Sequence, residues 1–189
     1  LNASNCDTAV VTVNVSAASI IANDDAGTPV NGLTGGTAFT NVLTNDTLNG
    51  VAVNTSQVNL TFVSSTNAGI TLSGTDVIVA PGTPAGPYTL TYQICEVLNA
   101  SNCDTAVVTV NVSAASIIAN DDNGTAVNGL TGGTAFTNVL TNDTLNGVAV
   151  NASQVNLTFV SSTNAGITLS GTDVVVAPGT PAGPYTLTY

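Results

Sequence analysis

The side chains able to do chemistry in this chain are of two kinds, carboxylates and thiols. Eleven Asp or Glu residues and three Cys stand beside no Lys, no Arg and no His. Without His there is no side chain whose ordinary pKa suits a general base near neutral pH, and without Lys there is no amine nucleophile or Schiff base. Catalysis would have to run on carboxylates alone. The Asp residues, however, lie in Asn/Gly/Thr-rich turns such as TNDTLNG (44–50) and SGTDV (73–77), where solvated loop carboxylates are the ordinary occupants. The expectation is that the chain is not an enzyme. A formal charge of −11 with nothing to neutralise a phosphate also argues against nucleic acid and anionic membrane as partners.

What must position these groups is a repeat. Residues 1–92 align with 98–189 at a spacing of 97, and only Ala26/Asn123, Pro29/Ala126, Thr55/Ala152 and Ile78/Val175 differ. A period of that length corresponds to a whole small domain rather than to one turn of a solenoid, so each unit should fold on its own. Short apolar runs recur within it: SIIAN (19–23), TAFTNVL (37–43), QVNLTFV (57–63), GITLS (69–73), DVIVA (76–80), YTLTYQIC (88–95) and CDTAVVTVNV (103–112). Gly, Pro and Asn clusters separate them.

Alternation is clearest in the last two runs. Tyr88, Leu90, Tyr92 and Ile94 share one face, and Ala106, Val108, Val110 and Val112 share another. Seven such strands in about 95 residues, with no helical period, predict an all-β chain of tandem immunoglobulin-like antiparallel β-sandwiches. The aromatic residues Phe39, Phe62, Tyr88 and Tyr92, with Phe136, Phe159, Tyr185 and Tyr189, are expected in the cores. The phase of the repeat places the last strand of a preceding repeat at 1–16, a complete repeat at 17–113, and a second repeat lacking its last strand at 114–189. No apolar run approaches the ~18 residues of a membrane span. The chain opens without Met or a signal-like segment, so it reads as an excerpt of something longer.

The strands containing Cys95 and Cys103 are joined by the seven residues EVLNASN, and an antiparallel hairpin brings such ends together. A disulfide between Cys95 and Cys103 is therefore expected, and with it an oxidising, extracellular setting. Cys6 is the equivalent of Cys103, with its partner falling outside the sequence. Two Cys and no His cannot furnish the four ligands of a structural zinc site.

With immunoglobulin-like strand order, Asp24, Asp25, Asp46, Asp76, Glu96 and Asp104 gather near one pole, while the opposite pole is uncharged. Two readings of that pole are open. Crowded carboxylates without a cation can recruit Ca²⁺, which takes six to eight oxygens and would find some of them on Asp24, Asp25 and Asp46. They can equally be solvated acidic loops that keep the protein soluble.

In order along the unit, ANDD (22–25), NVLTNDT (41–47), YTLTYQI (88–94) and CDTAVVTVNV (103–112) resemble the tandem bacterial Ig-like and cadherin-like repeats of large secreted surface adhesins. The resemblance covers essentially the whole unit. It implies calcium at domain junctions, on Asp24, Asp25 and Asp46 and, in the second copy, on Asp121, Asp122 and Asp143. The Thr/Val/Asn-rich style is similar to repeats in giant surface proteins of Bacteroidota. That similarity implies possible O-glycosylation at Asp-Thr-small/aliphatic motifs, here Thr8, Thr47, Thr105 and Thr144.

The leading functional expectation is a stalk: rigid sandwiches stacked end to end that space a distal functional region from the cell. Each would add roughly 40 Å, from strands of about ten residues and a short connection. Only SAAS (16–19 and 113–116) links one unit to the next. The alternatives are a filament whose chains exchange strands, the missing strand of one being supplied by another, and a glycan- or protein-binding module. The last is the weaker, since the acidic loops hold no aromatic residue on which a sugar could stack.

Overall fold

The computed structural model describes residues 4–189, which form strands and turns and no helix. The chain divides into two compact units, Leu1–Ala114 and Ala115–Tyr189.

The first unit contains β1 (Ile20–Ile21), β2 (Asp25–Ala26), β3 (Val30–Asn31), β4 (Gly36–Phe39), β5 (Thr47–Leu48), β6 (Val51–Ala52), β7 (Val58–Ser65), β8 (Ile70–Ser73), β9 (Asp76–Val79), β10 (Gly86–Glu96) and β11 (Cys103–Ser113). Its largest sheet has the order β2-β11-β10-β7, with β3 also on β11. Two three-stranded sheets, β1-β5-β6 and β4-β9-β8, complete it. All pairings are antiparallel except those of β2 and β3 with β11, which are parallel.

The long hairpin β10–β11 follows the alternation of its sequence. Leu90, Tyr92 and Ile94 on one strand and Ala106, Val108, Val110 and Val112 on the other are buried, and the residues between them are half-buried or exposed. They form one core with Ile70, Val77 and Val79 of β8 and β9 and with Val42 and Leu43. β-branched residues dominate because a pleated, half-buried surface suits them.

Three local expectations are corrected. The run 37–43 is a strand only to Phe39. Asn41 takes a left-handed conformation (φ 56°) and turns the chain, so Val42 and Leu43 reach the core from a turn. Phe62 and Phe159 are half exposed rather than buried. Phe62 lies on the edge strand β7 opposite Tyr92, next to a register shift at Thr91/Tyr92, and Tyr92 takes the core position. The run 19–23 forms only the two-residue β1.

The second unit contains β12 (Ile117–Ile118), β13 (Gly133–Phe136), β14 (Thr144–Leu145), β15 (Val148–Ala149), β16 (Ser161–Ser162), β17 (Ile167–Ser170), β18 (Asp173–Val176) and β19 (Leu187–Thr188). The sheets β12-β14-β15 and β13-β18-β17 reproduce two sheets of the first unit. The large sheet is reduced to the short pair β16–β19. The segments matching β2, β3 and most of β7 are not strands, because the pairing that organised them in the first unit depends on β11 and on the full length of β10.

Candidate functional site: the acidic pole

The acidic pole of the first unit is built around one phenol. Tyr92 occupies an inward position of β10, and its hydroxyl lies 3.2 Å from both carboxylate oxygens of Asp46 and 3.4 Å from Oδ2 of Asp25. The carbonyls of Asn23 and Val42 are 3.2 and 3.0 Å away. The hydroxyl has one proton to donate among these acceptors. Asp25 and Asp46 are both buried. Burial, and next the charge of Asp46, push the Asp25 carboxyl up to about 6 against hydrogen bonds from Tyr92 and Asn45. Burial also raises Asp46, opposed by the Asn23 N–H and by Tyr92. The Tyr92 phenol is pushed far above its usual range by burial and by the two carboxylates, so it is a donor and never a phenolate at physiological pH.

The remaining carboxylates serve the backbone. Asp24 Oδ1 accepts the Val107 N–H at 2.8 Å, and Asp104 Oδ2 accepts the Ala22 N–H at 3.0 Å. Asp46 Oδ1 accepts the Asn23 N–H at 2.8 Å, and Asp76 Oδ1 the Asn41 N–H at 2.9 Å. Glu96 Oε2 receives the side-chain amides of Asn102 (2.8 Å) and Asn99 (3.0 Å) and the more distant Ala18 N–H. Asn102 first, then Asn99, hold the Glu96 carboxyl below its usual value. In a chain without cations, N–H groups take the place of Lys and Arg as carboxylate partners. Most of these contacts tie the incoming segment 18–25 to the hairpin β10–β11 or to the turn at 41–46.

Cys95 and Cys103 form the disulfide at the mouth of that hairpin, as directly opposed residues of the last pairing position. Cys6 lies outside it and is exposed. Thr8 and Thr105 are exposed, while Thr47 and Thr144 are half-buried in short hairpins.

The second copy keeps part of the arrangement. Tyr189 Oη donates toward Asp122 Oδ2 (3.1 Å) beside the carbonyls of Val139 and Asn120, and burial followed by Asp122 raises this phenol well above its usual range. Asp143 Oδ1 accepts the Asn120 N–H at 2.8 Å, as Asp46 does from Asn23. Asp121 is exposed.

These oxygens do not fit a calcium cage. Ca²⁺ takes six to eight oxygens around one point, whereas Asp25 and Asp46 face inward onto Tyr92 and Asp24 is turned onto a backbone N–H. Among the described residues no three acidic or cysteine side chains are grouped to hold a metal ion, and no buried side-chain N or O atom lacks a protein partner. The sequence grouped Asp24, Asp25 and Asp46 together; the structure brings Asp25 and Asp46 onto the Tyr92 hydroxyl and turns Asp24 onto the Val107 N–H. The sequence alone did not assign Tyr92 or the Val107 N–H as their partners. The signal for Tyr92 was present, in a tyrosine on the inward parity of a strand whose hydroxyl needs a buried acceptor.

The chain matches no protein-family model and no curated protein.

Proposed function

We propose that the chain is a structural repeat of an extracellular stalk, in which immunoglobulin-like sandwiches stacked end to end space a distal region from a cell surface. The observation that carries this reading is where the polar chemistry goes. In the complete repeat the carboxylates are engaged in holding the incoming segment against the closing hairpin, and a near-identical copy follows after a connection of a few residues. A disulfide at the same pole supports an oxidising location. The neighbouring repeats are the partners that this role requires. Calcium at the junctions is the element with least built for it, since the carboxylates that would bind the ion are already bonded within the protein.

Arrays with increasing numbers of the 97-residue repeat test the reading. Small-angle scattering should show the maximum dimension growing by a constant step, roughly 40 Å per added repeat. Arrays that become more compact instead of longer would rule out a stalk.

A further inference from the structure

An asparagine followed by glycine loses its side-chain amide readily, because glycine has no Cβ to keep its nitrogen away from the neighbouring carboxamide. The complete repeat holds two such pairs, Asn31–Gly32 and Asn49–Gly50, and the fold treats them differently. Gly32 is buried, its N–H donates to the Ser113 carbonyl at 2.9 Å, and an added Cβ would run into the Thr83 carbonyl oxygen. The Asn31 Oδ1 is itself occupied by the Leu33 N–H at 3.0 Å. Asn49 and Gly50, by contrast, are exposed at the tip of the β5–β6 hairpin. The Gly50 N–H has no backbone acceptor, and nothing lies within 4 Å of the place a Cβ would take.

The exposed pair also holds the entering chain. Asn49 is bonded twice to Ser19, the last residue of the SAAS connection: its N–H donates to the Ser19 carbonyl at 2.7 Å, and its Oδ1 accepts the Ser19 N–H at 2.9 Å. The second bond orients the carboxamide and draws electron density from Cγ, which makes that carbon the better electrophile. The second unit repeats the arrangement. Asn146 makes the same two bonds to Ser116 at 2.7 and 2.9 Å, and Gly147 is equally open. Both turns have φ values of 51° and 73° at their two residues.

We propose that Asn49, and Asn146 in the second unit, are sites of spontaneous deamidation, and that their conversion loosens the connection from the hairpin tip. The Gly50 backbone nitrogen attacks Cγ of Asn49. The N–Cγ bond forms, the Cγ–Nδ2 bond breaks, and Nδ2 leaves as ammonia with the proton that the Gly50 nitrogen gives up. Water then opens the cyclic imide, at Cγ to give isoaspartate's isomer, aspartate, or at the main-chain carbonyl carbon to give isoaspartate. The sum is one water consumed and one ammonia released, with no change of oxidation state. Isoaspartate routes the main chain through Cβ and lengthens a turn that two-residue geometry fixes, so the two bonds to Ser19 no longer fit together. Since β1 is only Ile20–Ile21, those bonds are a large part of what holds the entering chain to this hairpin.

The test is to hold the folded chain at mildly alkaline pH, with a parallel sample unfolded in urea, and to follow each asparagine by peptide mass spectrometry. Chymotryptic cleavage serves, since the chain has no Lys or Arg for trypsin. In the folded chain Asn49 and Asn146 should gain the mass of amide-to-acid conversion, and fragmentation should show isoaspartate among the products. Asn31, whose glycine nitrogen must first leave its hydrogen bond and its packed site, should convert at least about tenfold more slowly. In urea Asn31 and Asn49 should convert at similar rates. Hydrogen exchange at the Ser19 amide should be faster in the aged chain, with Val108 still protected. A folded chain whose Asn49 stays an amide while the urea sample converts overturns the proposal, as does an Asn31 that reacts as fast as Asn49 in the folded state. Unchanged exchange at Ser19 after conversion overturns the loosening.

Discussion

The two units differ in sequence at four of the positions they share, yet one holds a continuous large sheet and the other a two-residue remnant of it. Strand propensity is the same in both, so propensity is not what distinguishes them. The segment 155–160 carries the residues of β7 unchanged and is not a strand, and neither is the counterpart of β2. In this fold the small sheets pair strands that all lie before β10 in the repeat, while the large sheet depends on β11, which closes it from the far end of the repeat.

If that is correct, a single charge on β11 should convert the first unit into the condition of the second. Val108→Asp puts a carboxylate at a fully buried position with no cation anywhere to pair it, and should cost more than about 4 kcal/mol. The same change at the exposed Val11 should leave the first unit's denaturant midpoint where it was. Circular dichroism during urea unfolding reads both. Next in size, Tyr92→Phe removes the donor shared by two buried carboxylates and should cost about 3 kcal/mol. Tyr189→Phe, in the half-open copy, should cost under about 1 kcal/mol by the same logic, and equal losses would show that the two phenols do the same work.

Reduction of Cys95–Cys103 releases an eight-residue separation and should destabilise the first unit by about 2.5 kcal/mol on the chain-entropy scale. The second unit's transition should not respond, which calorimetry with and without reductant can resolve. The pH response is smaller. Asp25 has a folded-state pKa of about 6 against an ordinary 3.8, so the fold prefers the protonated acid. That contribution is complete below about pH 4 and is lost as pH rises through about 6. Asp25→Asn should flatten this slope, and an unchanged slope would assign it to other acids. The smallest effect is that of chelator, which should leave both melting temperatures unaltered. A fall on calcium removal would restore the junction ion that the resemblance implies.

Much of this was legible in the sequence where side chains alternate over many residues. The inward faces of β10 and β11 and the pairing of Cys95 with Cys103 follow from parity and hairpin geometry alone. The hairpin β5–β6 has an equally readable signal. Asn49 and Gly50, both with positive φ, sit between Thr47-Leu48 and Val51-Ala52 as the two-residue turn that right-twisted strands favour. The strands β2 and β3 carried no readable signal, being two residues each with Gly27 and Pro29 between them, and they exist through their pairing with β11 about 80 residues later. The acidic site was legible to the same depth. Its carboxylates could be grouped by loop, but their partners Tyr92 and Val107 are contributed by strands far along the chain, and only the fold shows that the acids bond inward.

The parallel pairing of β2 and β3 with β11 has a mechanical consequence. β2 and β3 follow closely on the point where the chain enters the first unit, and β11 leads directly to where it leaves, running in the same direction beside them. Tension drawn between those two points pulls these neighbours along their common axis in opposite senses. The load falls in shear on Gly27 N–Thr109 O, Gly32 N–Ser113 O and the Asp24–Val107 bond together. They must rupture together, whereas a hairpin pulled from its open end unzips one bond at a time.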